Sequence, residues 1–295
     1  MKPAPFEFES PTTVQEVVER LDKNPEAVLM AGNQSLGLAM ADRSVSPDHI
    51  IDLNNIEELA FINESYSMIE IGAMTRHREL EQSTLLEKKL PALSEAAYIA
   101  GPSVRNRGTI GGSIAEADPA GNYPTTLSAL GASLTVRSAK STRELSMSEY
   151  FATGDTTVLR ENELIERVTI PKEPFPLART GMAFEVLKRA GLAWPTVSAA
   201  AAVRVSDTTV DNPIIEEARL ALANVDDTPL RVKDAETAVE GQSLSEDTLS
   251  TVAELIIKKA DPKPEMHADR EYKEDAACEY ARRALKSSFN RAIRS

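Results

Sequence analysis

The chain has 295 residues, with 46 acidic against 33 basic side chains and a formal net charge of −13. Its length is about twice the roughly 100–150 residues of a typical domain, so two domains are expected. So acidic a surface repels phosphate backbones and anionic lipid, which disfavours nucleic-acid and membrane-surface roles.

Residues 10–21 read as a capped amphipathic helix, with Val14, Val17, Val18 and Leu21 on one face. The apolar run Val28 to Met30 is a strand that ends abruptly in the polar turn Ala31-Gly32-Asn33-Gln34-Ser35, and a helix is expected from about Leu36. Residues 49–53 and 68–72 read as two further strands. Thr75 is placed to cap a helix running to Leu80, and 90–100 carries Leu93, Ala96 and Ala97 on one side of another. From Gly101 to Pro124 apolar residues thin out and Gly, Ser, Asn and Asp dominate, so a long functional loop is expected there.

Three prolines between Pro171 and Pro176 mark a linker. Beyond it, 182–187, 197–205 and 218–225 read as strands. Helices are expected at about 232–240, 248–259 and 268–288, the last after the loop around Pro262 and Pro264. Strands followed by helices point to an α+β unit distinct from the first.

The chain has one cysteine, Cys278. It excludes an intrachain disulfide and any iron–sulfur or zinc site built from this chain's cysteines alone. His49, His77 and His267 share no ligand spacing, so no metal site is expected. The opening residues lack a basic-then-apolar leader and no run approaches roughly 18 apolar residues. A soluble, cytoplasmic protein is expected.

Two segments stand out, Ala31 to Leu36 and Thr109-Ile110-Gly111-Gly112-Ser113. In each, an extended segment reaches glycine, which lets a ligand approach the backbone. Successive amides would then face one concavity beside small polar side chains, an arrangement suited to a phosphate or pyrophosphate. Ordinary tight turns have the same composition, so the residues alone leave both readings open.

The ordered set Ala31 to Leu36, Ile71 to His77, Val104 to Ser113 and Ala117-Asp118-Pro119 resembles the FAD-binding subunit of the molybdenum hydroxylases, the xanthine dehydrogenase and carbon monoxide dehydrogenase family. The likeness covers essentially the whole chain and is most specific from Val104 to Ser113.

The resemblance implies an α+β fold: a vanillyl-alcohol-oxidase (PCMH)-type FAD-binding domain of two α+β subdomains over residues 1–175, and a smaller α+β C-terminal flavoprotein domain over 176–295. It implies FAD held by Ala31, Gly32, Asn33, Gln34, Ser35 and Leu36 in the first turn. Thr109, Ile110, Gly111, Gly112 and Ser113 would hold it from the second. Thr75, Asp118, Asn122, Ile165, Glu185 and Trp194 complete the implied set. Asn122 stands where the family often has Asp, and Asn33 replaces the second Gly of its usual first turn. Trp194 would lie near the isoalloxazine or, as an alternative, in the core or at an interface. Some relatives carry a lysine near Glu185 or Val186, and none is present at that spot. Arg105 and Arg107 are open to three roles: cofactor contact, contact with an iron–sulfur partner, or plain surface.

The implied function is electron transfer within a complex. A large molybdenum-cofactor subunit would oxidise the substrate, a small subunit with [2Fe-2S] clusters would pass electrons to this FAD, and an external acceptor would take them. No catalytic acid or base is expected on this chain, since the flavin carries the chemistry. The alternatives are a stand-alone flavin reductase or oxidase and a flavin-less interaction module.

Overall fold

The computed structural model describes residues 2–98, 100–151, 157–191, 193–206, 208–209 and 212–295. Three sheets, each with its own helices, follow one another along the chain.

The first unit comprises β1 (Glu7–Glu9), α1 (Val14–Lys23), β2 (Val28–Met30), α2 (Leu36–Asp42) and β3 (His49–Asp52). Its strands are parallel, in the order β1-β3-β2. Helix α1 buries Val14, Val17, Val18 and Leu21 as its spacing dictates. Its cap is Thr13, whose hydroxyl accepts from the Glu16 amide. The helix therefore starts later than Ser10, with Pro11 outside it.

The second unit runs β4 (Ile62–Glu64), β5 (Met68–Gly72), α3 (His77–Gln82), α4 (Thr84–Lys89), α5 (Pro91–Tyr98), α6 (Pro102–Arg105), α7 (Ile110–Glu116), α8 (Asn122–Leu130), β6 (Ser133–Arg137), β7 (Thr142–Ser146), α9 (Met147–Tyr150) and β8 (Leu164–Pro171). Its sheet is antiparallel, in the order β4-β5-β8-β6-β7. The stretch expected to be one long loop holds α6, α7 and the start of α8. Pro102 opens α6 at a position where its missing N–H costs nothing. Thr109 caps α7, accepting from the Gly112 amide at 3.1 Å. The small residues that looked like loop composition let these helices lie close to neighbouring backbone.

The third unit comprises β9 (Thr180–Lys188), β10 (Pro195–Val205), β11 (Ile215–Ala223), β12 (Leu230–Arg231), α10 (Lys233–Val239), α11 (Glu246–Lys259) and α12 (Arg270–Ala292). Its antiparallel order is β12-β11-β10-β9. Strand β10 is apolar along almost its whole length because both of its faces are covered. Ala200 and Ala202 join the core built around α8 and the second sheet, while Ala199, Ala201 and Val203 face the core under α12. Helix α12 lies directly on β9: a Cβ at Gly181 would stand 1.9 Å from the Ser288 carbonyl oxygen. Among the described residues no helix is long and apolar enough to cross a membrane. The α+β expectation matches this architecture.

Candidate functional site

The turn that follows β2 and the first turn of α7 form two adjoining walls of a cavity of about 500 Å³. Gly32 brings the walls together, since a Cβ there would stand 2.4 Å from the Arg107 carbonyl oxygen and 2.7 Å from the Gly108 Cα. The chain then turns at Asn33 with φ 56°, a left-handed conformation that Asn tolerates. Gln34 Nε2 donates to the Gly32 carbonyl at 3.0 Å, and Ser35 Oγ donates across to Glu116 Oε2 at 2.5 Å.

The backbone amides separate the two turns. No hydrogen bond among the described residues uses the N–H of Asn33, Gln34, Ser35 or Leu36. In the second turn every amide from Ile110 to Ser113 is spent inside the protein. Ile110 donates to the Thr75 carbonyl at 3.1 Å and Gly111 to Ala73 at 2.9 Å. Gly112 donates to Thr109 Oγ1, and Ser113 to the Thr109 carbonyl at 3.0 Å. Two facing amide nests were expected. Only the first turn keeps its amides free, and the second turn contributes Gly111 and Gly112 to the cavity lining.

Of the residues expected to form the site, Ala31 to Leu36, Thr109, Gly111, Gly112, Ser113, Asp118, Asn122, Ile165 and Trp194 all line this cavity. Thr75, Ile110 and Glu185 do not. Thr75 is buried, with its hydroxyl donating to the Phe61 carbonyl at 2.9 Å rather than capping α3. The Ile110 side chain is fully inside the core. Glu185 accepts from Ser287 of α12, so it lies on the far face of β9.

The pleat explains that last miss and supplies a residue the sequence reading passed over. Phe184 and Val186 pack on the second-unit core, so Lys188 shares their face and reaches the cavity. No lysine stands at 185 or 186, but Lys188, later on the same strand face, lines the cavity. Lys188 Nζ donates to the Gly191 carbonyl at 2.6 Å, and burial lowers its pKa. Trp194 is 66% exposed at the cavity mouth, which excludes a core tryptophan. Arg105 is buried rather than on the surface: its guanidinium donates to the Tyr98 and Ala100 carbonyls and lies 3.0 Å from Glu81. Arg107 is exposed.

Asp118 Oδ1 accepts from the Ala120 amide at 2.8 Å and so folds its own loop. Asn224, from the third unit, donates its amide to the Pro119 carbonyl at 2.8 Å and fixes that loop from outside. His77 and Tyr123 also line the cavity, with ring centroids 4.6 Å apart. His77 Nε2 lies 3.1 Å from the Thr109 carbonyl oxygen, which only accepts, so the proton is on Nε2 and Nδ1 is a bare acceptor. Burial pushes His77 down to about 4 and Tyr123 well above the usual tyrosine range. His77 Nδ1, Tyr123 Oη and Asn122 Oδ1 are buried with no protein partner. A lone histidine and a lone tyrosine carry no spacing that would have singled them out.

This donor and acceptor set fits a large anionic cofactor with polar and aromatic parts. It has unspent amides at one turn, orphaned buried polar atoms on the wall, and an apolar stretch through Ile165 to Trp194.

Residues 4–173 match the family described as the FAD binding domain in molybdopterin dehydrogenase, and residues 182–288 match the CO dehydrogenase flavoprotein C-terminal domain. The chain is 34% identical to the carbon monoxide dehydrogenase medium chain of Hydrogenophaga pseudoflava, over 99% of both chains. It is 32% identical to the 6-hydroxypseudooxynicotine dehydrogenase complex subunit alpha of Paenarthrobacter nicotinovorans, over 99% of this chain and 97% of that one. A solved structure of the Hydrogenophaga pseudoflava carbon monoxide dehydrogenase, lacking the Mo-pyranopterin moiety, superposes with a TM-score of 0.92 at 36% identity over 99% of both chains.

Proposed function

The chain belongs to the FAD-binding medium subunits of the molybdenum hydroxylases, and on that premise we propose that the cavity between the two turns is its FAD site. The observation that carries this reading is the run of unspent amides from Asn33 to Leu36, on residues that line one cavity with Gly111 and Gly112. Amides without a protein acceptor among the described residues, just before and at the start of α2, are free to bind an anion, and the diphosphate is the anionic part of FAD. The glycines of the second turn allow close approach rather than donating bonds. Ile165, Lys188 and Trp194 lie where the third unit meets the cavity, and we assign them to the flavin-ring end. There Lys188 places a cation beside the ring and Trp194 covers the mouth.

Bound FAD supplies electron transfer, and the protein's residues bind it, orient it and limit its exposure. His77, held neutral by burial, and Tyr123, held protonated, present one fixed acceptor and one fixed donor to the cofactor. The reading needs no general base. We place the domain boundary after Phe175, which is buried on the second-unit core while β9 begins at Thr180.

In this reading the chain is the oxidoreductase's electron relay. A large molybdenum-cofactor subunit and a small iron–sulfur subunit deliver electrons, and an external acceptor removes them. A cytoplasmic setting suits a sequence with one cysteine, which forms no intrachain disulfide.

The site is tested with Gly112→Val. A Cβ at Gly112 would lie 2.8 Å from Thr109 Oγ1 and 3.7 Å from the Ala31 Cβ, so the added bulk enters the gap between the walls. The variant should purify without flavin at unchanged circular dichroism. Wild-type flavin content would overturn the site. Gly111 is the poorer choice, because its Cβ would strike Ala73 at 2.6 Å and disturb the fold itself.

A further inference from the structure

We propose that Arg76 and Asn54 form a strut that sets the spacing of the two cavity walls, and thereby the affinity for FAD, without touching the cofactor. The inference rests on the cavity being the FAD site.

The strut is a continuous chain of hydrogen bonds from one wall to the other. On the first wall, Asn54 Nδ2 donates to the Ala31 carbonyl at 3.0 Å, at the start of the turn with unspent amides. Asn54 is itself fixed by Asp52, the last residue of β3, whose carboxylate accepts from the Asn54 amide at 3.1 Å and also from Nδ2. Asn54 Oδ1 accepts from Arg76 Nη2 at 2.5 Å. On the second wall, Arg76 Nη1 donates to the Arg107 carbonyl, the group that Gly32 packs against. The backbone on either side of Arg76 is anchored to the same wall: Thr75 accepts from Ile110, and His77 donates to the Gly108 carbonyl at 3.0 Å.

Two features mark this as a spacer rather than a charge pair. Both partners of the guanidinium are neutral, one a side-chain amide and one a carbonyl. A planar guanidinium holds two acceptors at a set separation, which an ammonium on a flexible stem does not do. Moreover, neither Arg76 nor Asn54 lines the cavity, whereas Ala31, at the far end of the strut, does. Its removal would therefore leave every lining side chain in place and change only how firmly the walls are held.

The test is titration of FAD-free protein with FAD, followed by flavin fluorescence, with the melting temperature of the FAD-free protein measured alongside. Arg76→Ala and Asn54→Ala should each weaken FAD binding about tenfold or more, the scale of one hydrogen bond to a charged group. The FAD-free protein, which loses the same bonds, should melt only a few degrees below wild type. Arg76→Lys keeps the charge but not the span, and should resemble Arg76→Ala. The double variant should bind no more weakly than Arg76→Ala, because one chain of bonds is broken once. Wild-type affinity in Arg76→Ala, restoration by lysine, or multiplied losses in the double variant would each overturn the strut. Should Arg76→Ala melt far below wild type, Asn54→Ala, which leaves the arginine in place, carries the comparison. Gly112→Val separates the two claims. If it binds FAD normally, the cavity and the strut both fall. If it loses FAD while Arg76→Ala does not, only the strut falls.

Discussion

Acidification from pH 7 to pH 4 should cost this fold about 3 kcal/mol at one side chain, His77. The imidazole is buried against Tyr123 and donates from Nε2 to the Thr109 carbonyl. Burial pushes its pKa from 6.5 down to about 4, and the nearby Arg76 charge acts in the same direction, while the Thr109 bond opposes both. The unfolded chain takes up its proton near pH 6.5, whereas the folded chain resists until about pH 4. The contribution is therefore intact above 6.5, falls by about 1.4 kcal/mol per pH unit below it, and levels off below about 4. The loss amounts to about 2 kcal/mol at pH 5 and about 3 kcal/mol at pH 4. The assay is urea unfolding of FAD-free protein at pH 7, 6 and 5, for wild type and His77→Gln, whose amide does not titrate. The stability difference between the two should move by about 2 kcal/mol in favour of the variant between pH 7 and pH 5. A difference that stays constant over that range would refute the buried neutral imidazole.

Trp194→Ala should alter the fluorescence of bound flavin yet leave the melting temperature within a degree or two, because the indole is 66% exposed at the mouth. An unchanged flavin spectrum would remove Trp194 from the ring end. Gly181→Val should destabilise by at least about 2 kcal/mol, since its side chain meets α12 backbone that has no room to yield. Chemical denaturation measures it, and a loss below about 1 kcal/mol would contradict the packing of α12 on β9.

What the sequence made legible, and what it hid, follows from the range of the interactions involved. Helix α1 and strand β5 bury faces that follow their own periodicity, and β9, β10 and β11 were legible as continuous apolar runs. Residues 101–124 did not, because α6 and α7 are short and held by caps and by contacts from elsewhere in the chain. Strands β6, β7 and β8 passed unread: β8 is paired by β5 and β6 from segments far apart in sequence, whereas β6 and β7 form a local hairpin whose signal was overlooked. The two turns were recognisable from glycine and small polar residues. Which turn keeps its amides was not, because Thr75 and Ala73 consume those of Ile110 and Gly111 from a distant segment, while Thr109 takes the other two locally. Lys188 was within reach of parity alone: it shares a strand face with Phe184, and Glu185 does not. Arg76 and His77 lay inside a segment that carried the resemblance, but their roles, like that of Tyr123, depend on tertiary packing.

The central claim is that this chain relays electrons and does not oxidise the organic substrate. It is tested most directly by comparing flavin reduction in the isolated FAD-loaded chain with that in the complex co-expressed with its molybdenum and iron–sulfur partners. On addition of the organic substrate, the flavin absorption should bleach in the complex and stay unchanged in the isolated chain, which a chemical reductant alone should bleach. Substrate-driven bleaching of the isolated chain would contradict the account and make the protein a flavin enzyme in its own right.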